Sequence, residues 1–306
     1  MLLIFIDGIG LGSRDQARNP FARFESQFFG PLGGKTSNPA PGRLLEIDAT
    51  LGIAGLPQSA TGQTALFTGY NAAQILGYHC AGFPTVSLRP YLKNYSLLKR
   101  FIDAGFPATL INAYTEGYLQ KISKPRGERF MSASTLMQLG SGRPLLTVKD
   151  VKENKSIYMD ITHWLLKKQL PEITIKNPRE RGRTLVKIAR NYELTIFEYF
   201  LTDRVGHDGN WLDAQKIISH LDNFLYGIWE ELNPDKQCVM VTSDHGNFED
   251  LQEPAHTLHP IPLWIYGKNE EFFDTSIQTL YDIPRRIMSI YQIPFQNTDD
   301  LTINSE

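Results

Sequence analysis

The chain has 306 residues, of which 42% are hydrophobic and 21% charged, and its formal net charge is -2. That length can bury a sizeable core in one large or two smaller domains, and the composition excludes wholesale disorder. A nearly neutral chain without a Lys/Arg-rich block gives no electrostatic reason to expect nucleic acid or an anionic membrane as partner.

Two cysteines, Cys80 and Cys238, make no disulfide framework and suit a reducing compartment. The first apolar run is short, lacks a basic leader and stops at Asp7. No stretch approaches the ~20 apolar residues of a membrane-spanning helix. The expectation is a soluble, cytoplasmic protein.

In chain order, residues 2–6 read as a buried strand that ends in Asp7-Gly8. The Gly/Pro/Asn-rich stretch 8–43 reads mostly as loop. Small and hydroxylated residues at 55–64 lead into Ala65-Leu66-Phe67, a loop opening into a helix. A helix is expected over 92–104, with Gly105 as its stop, and a strand over 108–114. Short helices are expected around 132–139 and 157–168 within an otherwise irregular region. The residues 179–192 predict an amphipathic helix feeding a strand at 194–201. A second long helix spans 212–232, with Ile217, Ile218, Leu221, Phe224, Leu225 and Ile228 at helical spacing. A strand beginning at Cys238 and stopping at Asp244-His245 follows, then a strand at 261–266, a helix at 283–291 and a polar, fraying tail from 297.

Strand and helix alternate in the carboxyl-terminal half, which argues for an α/β fold: a mostly parallel sheet with helices on both faces. Ligand-type residues occupy two blocks, Asp7–Thr64 and Asp203–His259, separated by more than a hundred residues without comparable motifs. A discontinuous core (1–85 and 180–306) with a small inserted cap (86–179) accounts for that spacing.

Three apolar runs deliver carboxylates, two of them with imidazoles. The first ends at Asp7, the second leads to Asp203 with His207 four residues on, and the third ends at Asp244-His245 before Gly246. Strand carboxyl ends are where open α/β sheets place their chemistry. Asp203 and His207 at i and i+4 share a helix face and could grip one cation. His256 and His259 precede the next strand, and five of the seven histidines lie between His207 and His259. His79, His163 and His220 read as packing residues, and Cys80 beside His79 as buried packing. The pattern points to a polynuclear metal site.

The ordered set Ile6-Asp7-Gly8, Thr61-Gly-Gln-Thr64, Asp203-x-x-x-His207, Asp244-His245-Gly-Asn and Ala255-His-Thr-x-x-Pro-x-Pro resembles the alkaline phosphatase superfamily. Its nearest branch looks like cofactor-independent phosphoglycerate mutase and phosphopentomutase. The likeness covers roughly residues 1–85 and 180–270. It implies an alkaline-phosphatase-like core and two divalent ions, Mn²⁺ or Zn²⁺, the mixed imidazole and carboxylate ligands being less suited to Mg²⁺. One ion would be held by Asp203, His207 and His256, the other by Asp7, Asp244, His245 and the nucleophile's hydroxyl. Counting from the shared Gly-Leu-Pro puts Thr64 at the nucleophile, with Thr61 and Ser59 as competitors. His259 need not be a ligand.

Two clamped cations can hold the attacking and leaving oxygens of an in-line displacement at phosphorus. The expected substrate is therefore a small-molecule phosphate ester, and the expected intermediate is phosphothreonine. Its phosphoryl group would pass to water in a phosphatase, or to another hydroxyl in a mutase. Arg89 and Arg204 are candidate phosphate contacts. Two further readings are a sulfatase or phosphodiesterase of the same superfamily, whose Cys/Ser-x-Pro-x-Arg context is absent, and a catalytically inactive metal-binding module.

Overall fold

The computed structural model describes residues 1–34 and 40–296. Nine strands are present among these: β1 (Leu2–Ile6), β2 (Arg43–Ile47), β3 (Ala108–Leu110), β4 (Asn112–Tyr114), β5 (Leu146–Thr147), β6 (Ile157–Tyr158), β7 (Leu194–Tyr199), β8 (Cys238–Thr242) and β9 (Ile261–Gly267). Six form the main sheet in the order β2-β9-β8-β1-β7-β3. β3, β7, β1 and β8 run parallel, while β9 is antiparallel to both β8 and β2. A second, parallel sheet has the order β5-β4-β6.

Alternation along each central strand builds two cores. Leu3 and Phe5 face one side, with Met240, Ile196 and the helices Ser59–Thr68, Leu97–Asp103, Ala133–Gly140 and Asp282–Ile290. Leu2, Ile4 and Ile6 face the other, with Val239, Val241, Phe197 and the helices Pro178–Ala189 and Trp211–Glu231. A strand buried on both faces can carry apolar residues at every position; β1 does, and β8 does up to its last residue, the buried Thr242. The last two helices cross backbone against backbone. A Cβ at Gly227 would stand 1.9 Å from the Arg179 carbonyl, and one at Gly182 2.1 Å from that of Phe224.

Register brings the carboxyl ends of β1, β7 and β8 level. Ile6 pairs with Tyr199, and Phe5 with Thr242. Whatever follows these three strands therefore meets at one edge.

The structure corrects several expectations. The stretch 108–114 is two strands in different sheets, because Ile111 donates to Ile196 on β7 and accepts from Ile157 on β6. The helix expected at 157–168 begins instead at Trp164, since Ile157 and Tyr158 pair with β4. The helix expected at 92–104 is interrupted at Ser96, whose hydroxyl caps Lys99 N–H of a new helix. The expected insertion 86–179 is not separate throughout. Its β3 is an edge of the main sheet, and Leu92, Leu97, Leu98 and Phe101 join the core beneath it. The tail from 297 and positions 35–39 of the expected loop lie outside the described residues. Among those described, no helix is long and apolar enough to cross a membrane.

Candidate metal centre

β1 continues its ladder one step past Ile6, where Asp7 N–H donates to Tyr199 O at 2.9 Å. Gly8 then turns the chain at φ +72, and a Cβ there would meet Asp203 Cα at 2.9 Å. Only glycine permits both the left-handed turn and that approach. Asp203 lies in the first turn of the helix Leu201–Asp208, and His207 follows one turn later on the same face. Asp244 and His245 follow β8 after the single residue Ser243 and are fully buried. His256 arrives from a later loop, its Nδ1 2.7 Å from Pro57 O, which leaves Nε2 to face the other ligand-type atoms.

Two triangles of ligand-type atoms result. In the first, His207 Nε2 lies 3.4 Å from Asp203 Oδ1, His256 Nε2 lies 3.6 Å from the same oxygen, and the two Nε2 atoms are 3.2 Å apart. Atoms so spaced surround a point about 2 Å from each, the length of a metal–nitrogen or metal–oxygen bond. In the second, His245 Nε2 lies 3.3 Å from Asp7 Oδ1 and 3.5 Å from Asp244 Oδ2. Asp7, Asp244 and His245 present ligand atoms all within 4.8 Å of one another, as do Asp203, His245 and His256. His245 thus stands between the triangles, and its ring stacks on that of His256 with centroids 3.7 Å apart.

The electrostatics call for cations. Burial, then the charges of Asp244 and Asp203, push Asp7 well above the usual carboxylate range. Asp7 Oδ1 is enclosed without a hydrogen-bond donor. Burial would also raise Asp203, but its hydrogen bond with His256 and the nearby imidazoles hold it at about 2. Burial lowers His245. It opposes the charged form of His256 too, yet the bond to Asp203 leaves that residue raised. Among the described residues no lysine or arginine pairs with Asp7, Asp203 or Asp244. Three crowded carboxylates with imidazoles and no fixed cation fit two divalent ions.

The hydroxyl beside this cluster belongs to Ser59. Its Oγ is 2.9 Å from His245 Nε2. Ser59 opens the helix Ser59–Thr68, and Gln63, one turn on, donates to Asp7 Oδ2 at 3.0 Å and to Asp244 Oδ2 at 3.1 Å. Thr64 is five residues from Ser59, about 140° round the helix. Its hydroxyl is buried and donates to Ala60 O at 2.6 Å, so the structure does not bring it to the ligands. Thr61 is likewise engaged, with Gln58 O and Cys80 N–H. The first helix amides are occupied as well, since Ala60 and Thr61 N–H both point at Cys80 O.

Neither candidate arginine contacts the cluster. Arg89 donates to Pro84 O and faces Glu128, and Arg204 lines a separate small cavity with Trp164 and Lys216. His259 is held by Glu249.

The sequence reading assigns no role to Asn247, although it closes the Asp244-His245-Gly-Asn motif, or to Glu198. Asn247 Nδ2 donates to Asp203 Oδ1 at 2.8 Å; its place two residues after His245 was the available signal. Glu198, buried on β7, accepts from Ser134 Oγ. A lone acid inside an apolar strand was visible, but its surroundings were not.

A family model described as the Metalloenzyme superfamily matches residues 1–294. A 2,3-bisphosphoglycerate-independent phosphoglycerate mutase of Legionella pneumophila (strain Corby) is 29% identical over 123 residues, 37% of this chain and 24% of that protein. The protein of that name from Anaplasma phagocytophilum (strain HZ) is 24% identical over 247 residues, 75% of this chain and 47% of its own length. The chain thus spans less than half the length of these relatives. Among solved structures, the alkaline phosphatase from the Antarctic bacterium TAB5 aligns over 96% of this chain and 98% of its own, with TM-score 0.53 and 13% identity. The Thermus thermophilus alkaline phosphatase aligns over 97% and 92%, with TM-score 0.55 and 10% identity. These likenesses show a shared fold.

Proposed function

Because this chain belongs to the Metalloenzyme superfamily, we propose that it is a two-metal phosphoryl-transfer enzyme acting on a small phosphate monoester. Its nucleophile on this reading is Ser59 in place of the expected Thr64. The observation that carries the reading is the Ser59 hydroxyl, 2.9 Å from His245 Nε2 and next to two triangles of ligand atoms.

Asp203, His207 and His256 would hold one ion, and Asp7, Asp244 and His245 the other. When bound, Mn²⁺ or Zn²⁺ would neutralise charge on the phosphoryl oxygens and favour the serine alkoxide. Gln63 and Asn247 keep the carboxylates aimed, each donating an amide N–H to an oxygen of the set. Ser59 gives up its hydroxyl proton and its Oγ forms a bond to phosphorus as the bond from phosphorus to the ester oxygen breaks, that oxygen taking a proton from solvent and leaving as the alcohol. Water or a second hydroxyl then takes the phosphoryl group and restores Ser59. With the amides of Ala60 and Thr61 directed to Cys80 O, the helix terminus offers little to the phosphate, which leaves charge neutralisation to the ions.

The experiment compares metal content and turnover of a phosphate monoester panel in the parent, Ser59→Ala and Thr64→Val. The expected result is about two ions per chain in all three, with turnover abolished only in Ser59→Ala. An active Ser59→Ala enzyme would remove Ser59 as nucleophile. A metal-loaded parent inert toward every monoester would sink the reading.

A further inference from the structure

One carboxylate outside both triangles touches the three loops that carry Asp7, Asp244 with His245, and His256. The Glu249 side chain is fully enclosed. Its Oε2 accepts from Gly10 N–H at 2.8 Å and from Asn247 N–H at 2.9 Å. Its Oε1 accepts from Thr257 Oγ1 and meets His259 Nδ1 at 3.0 Å. Gly10 lies three residues beyond Asp7, Asn247 two beyond His245, and Thr257 directly follows His256.

The loops leave room for this side chain and for nothing more. A Cβ at Gly10 would stand 2.5 Å from Oε1, and one at Gly246 2.3 Å from the same atom. The backbones are also tied around it, Phe248 N–H to Gly8 O at 2.8 Å and Thr257 N–H to Gly246 O at 3.0 Å. An enclosed carboxylate is strongly unfavourable unless its lone pairs are met and its charge is balanced. Backbone amides and the Thr257 hydroxyl meet the first need. The half-exposed imidazole of His259 meets the second, so His259 Nδ1 is committed to Glu249 and not to a metal.

Deepening the metal-centre reading on which it rests, we propose that Glu249, charge-balanced by His259, is the positioning residue that sets the spacing of the two ion positions. The loop it holds through Gly10 carries Asp7, and the loop it holds through Asn247 carries Asp244 and His245. Asn247 in turn holds Asp203, while Thr257 abuts His256. Displacing this one carboxylate therefore shifts members of both triangles. A part played only in loop stability would lower the melting temperature of the chelated chain and leave ion affinity unchanged.

The experiment is Mn²⁺ titration of the full chain by calorimetry, with the electron paramagnetic resonance of the bound ion recorded alongside. It is run on the parent, Glu249→Gln, His259→Ala and His259→Asn. Partners that orient metal ligands typically contribute 10–100-fold to affinity. Glu249→Gln and His259→Ala are each expected to weaken both ions by about that factor. His259→Asn, whose amide N–H can donate to Oε1 but carries no charge, should recover only part of the loss. His259 is surface-accessible, so the Ala and Asn pair decides the matter even if Glu249→Gln fails to fold. Unchanged affinity in His259→Ala and Glu249→Gln, or weakening of one ion only, would overturn the inference and leave the metal centre standing. A parent that binds no Mn²⁺ would remove the metal centre and this inference with it.

Discussion

Phe67 meets Phe5 edge to face, with ring centroids 5.5 Å apart and planes at 85°. Phe5 lies two residues before Asp7 on β1, and Phe67 lies one turn past Gln63 on the helix that starts at Ser59. This pair locks the strand that delivers a carboxylate to the helix that delivers the hydroxyl. Both rings are fully buried.

Phe67→Ala should therefore cost about 3–5 kcal/mol of stability, the usual range for emptying a buried aromatic site. Phe67→Leu should cost less, but loosen the Ser59 helix enough to lower kcat. Urea unfolding of both variants gives the stabilities. A loss below about 1 kcal/mol for the alanine variant would show that the packing is not what holds the helix.

Metal-free protein should lose stability as pH rises from acid to neutral. Burial is the main cause that lifts Glu198 to about 7, with the Ser134 bond opposing and the charge of Asp244 adding. A carboxyl raised this way stabilises the fold fully below its ordinary value of 4.5, and that contribution is lost as pH climbs through about 7. The contribution amounts to at most about 3 kcal/mol. Asp7, also raised chiefly by burial, acts in the same direction. Asp203, held at about 2, acts oppositely, its contribution being present above 3.8 and lost as pH falls toward 2. Urea midpoints of chelated protein at pH 5 and pH 8 measure the net slope, which Glu198→Gln should flatten. Equal slopes in parent and variant would refute the assignment to Glu198.

Gly227→Ala should destabilise, although alanine is the better helix former by up to about 1 kcal/mol. The new Cβ would collide with the Arg179 carbonyl at 1.9 Å, and backbone cannot rotate aside as a side chain can. Forcing the helices apart should cost about 1–3 kcal/mol. A thermal melt decides the sign.

Arg204→Ala should leave kcat/KM for a phosphate monoester within about two-fold, well under 1 kcal/mol of transition-state stabilisation. The side chain lines a cavity with Trp164 and Lys216, away from the metal cluster. A tenfold loss would mean that Arg204 reaches the substrate after all.

Much of this molecule was legible along the chain. Apolar runs marked β1, β7, β8 and β9, and the acids and imidazoles at their ends named the ligand types, because strand burial and ligand chemistry are properties of the residues themselves. What the sequence could not convey was direction. Whether Ser59, Thr61 or Thr64 faces the ligands depends on where the helix begins, and that start is set by the Cys80 carbonyl, some twenty residues downstream, meeting Ala60 and Thr61 N–H. The break of 108–114 across two sheets follows from pairing with β7 and β6, partners far away in sequence. Glu249 looks like one more surface acid until three loops close around it. Residue type belongs to the chain, but helical phase, strand partner and the enclosure of a charge arise only when distant segments meet.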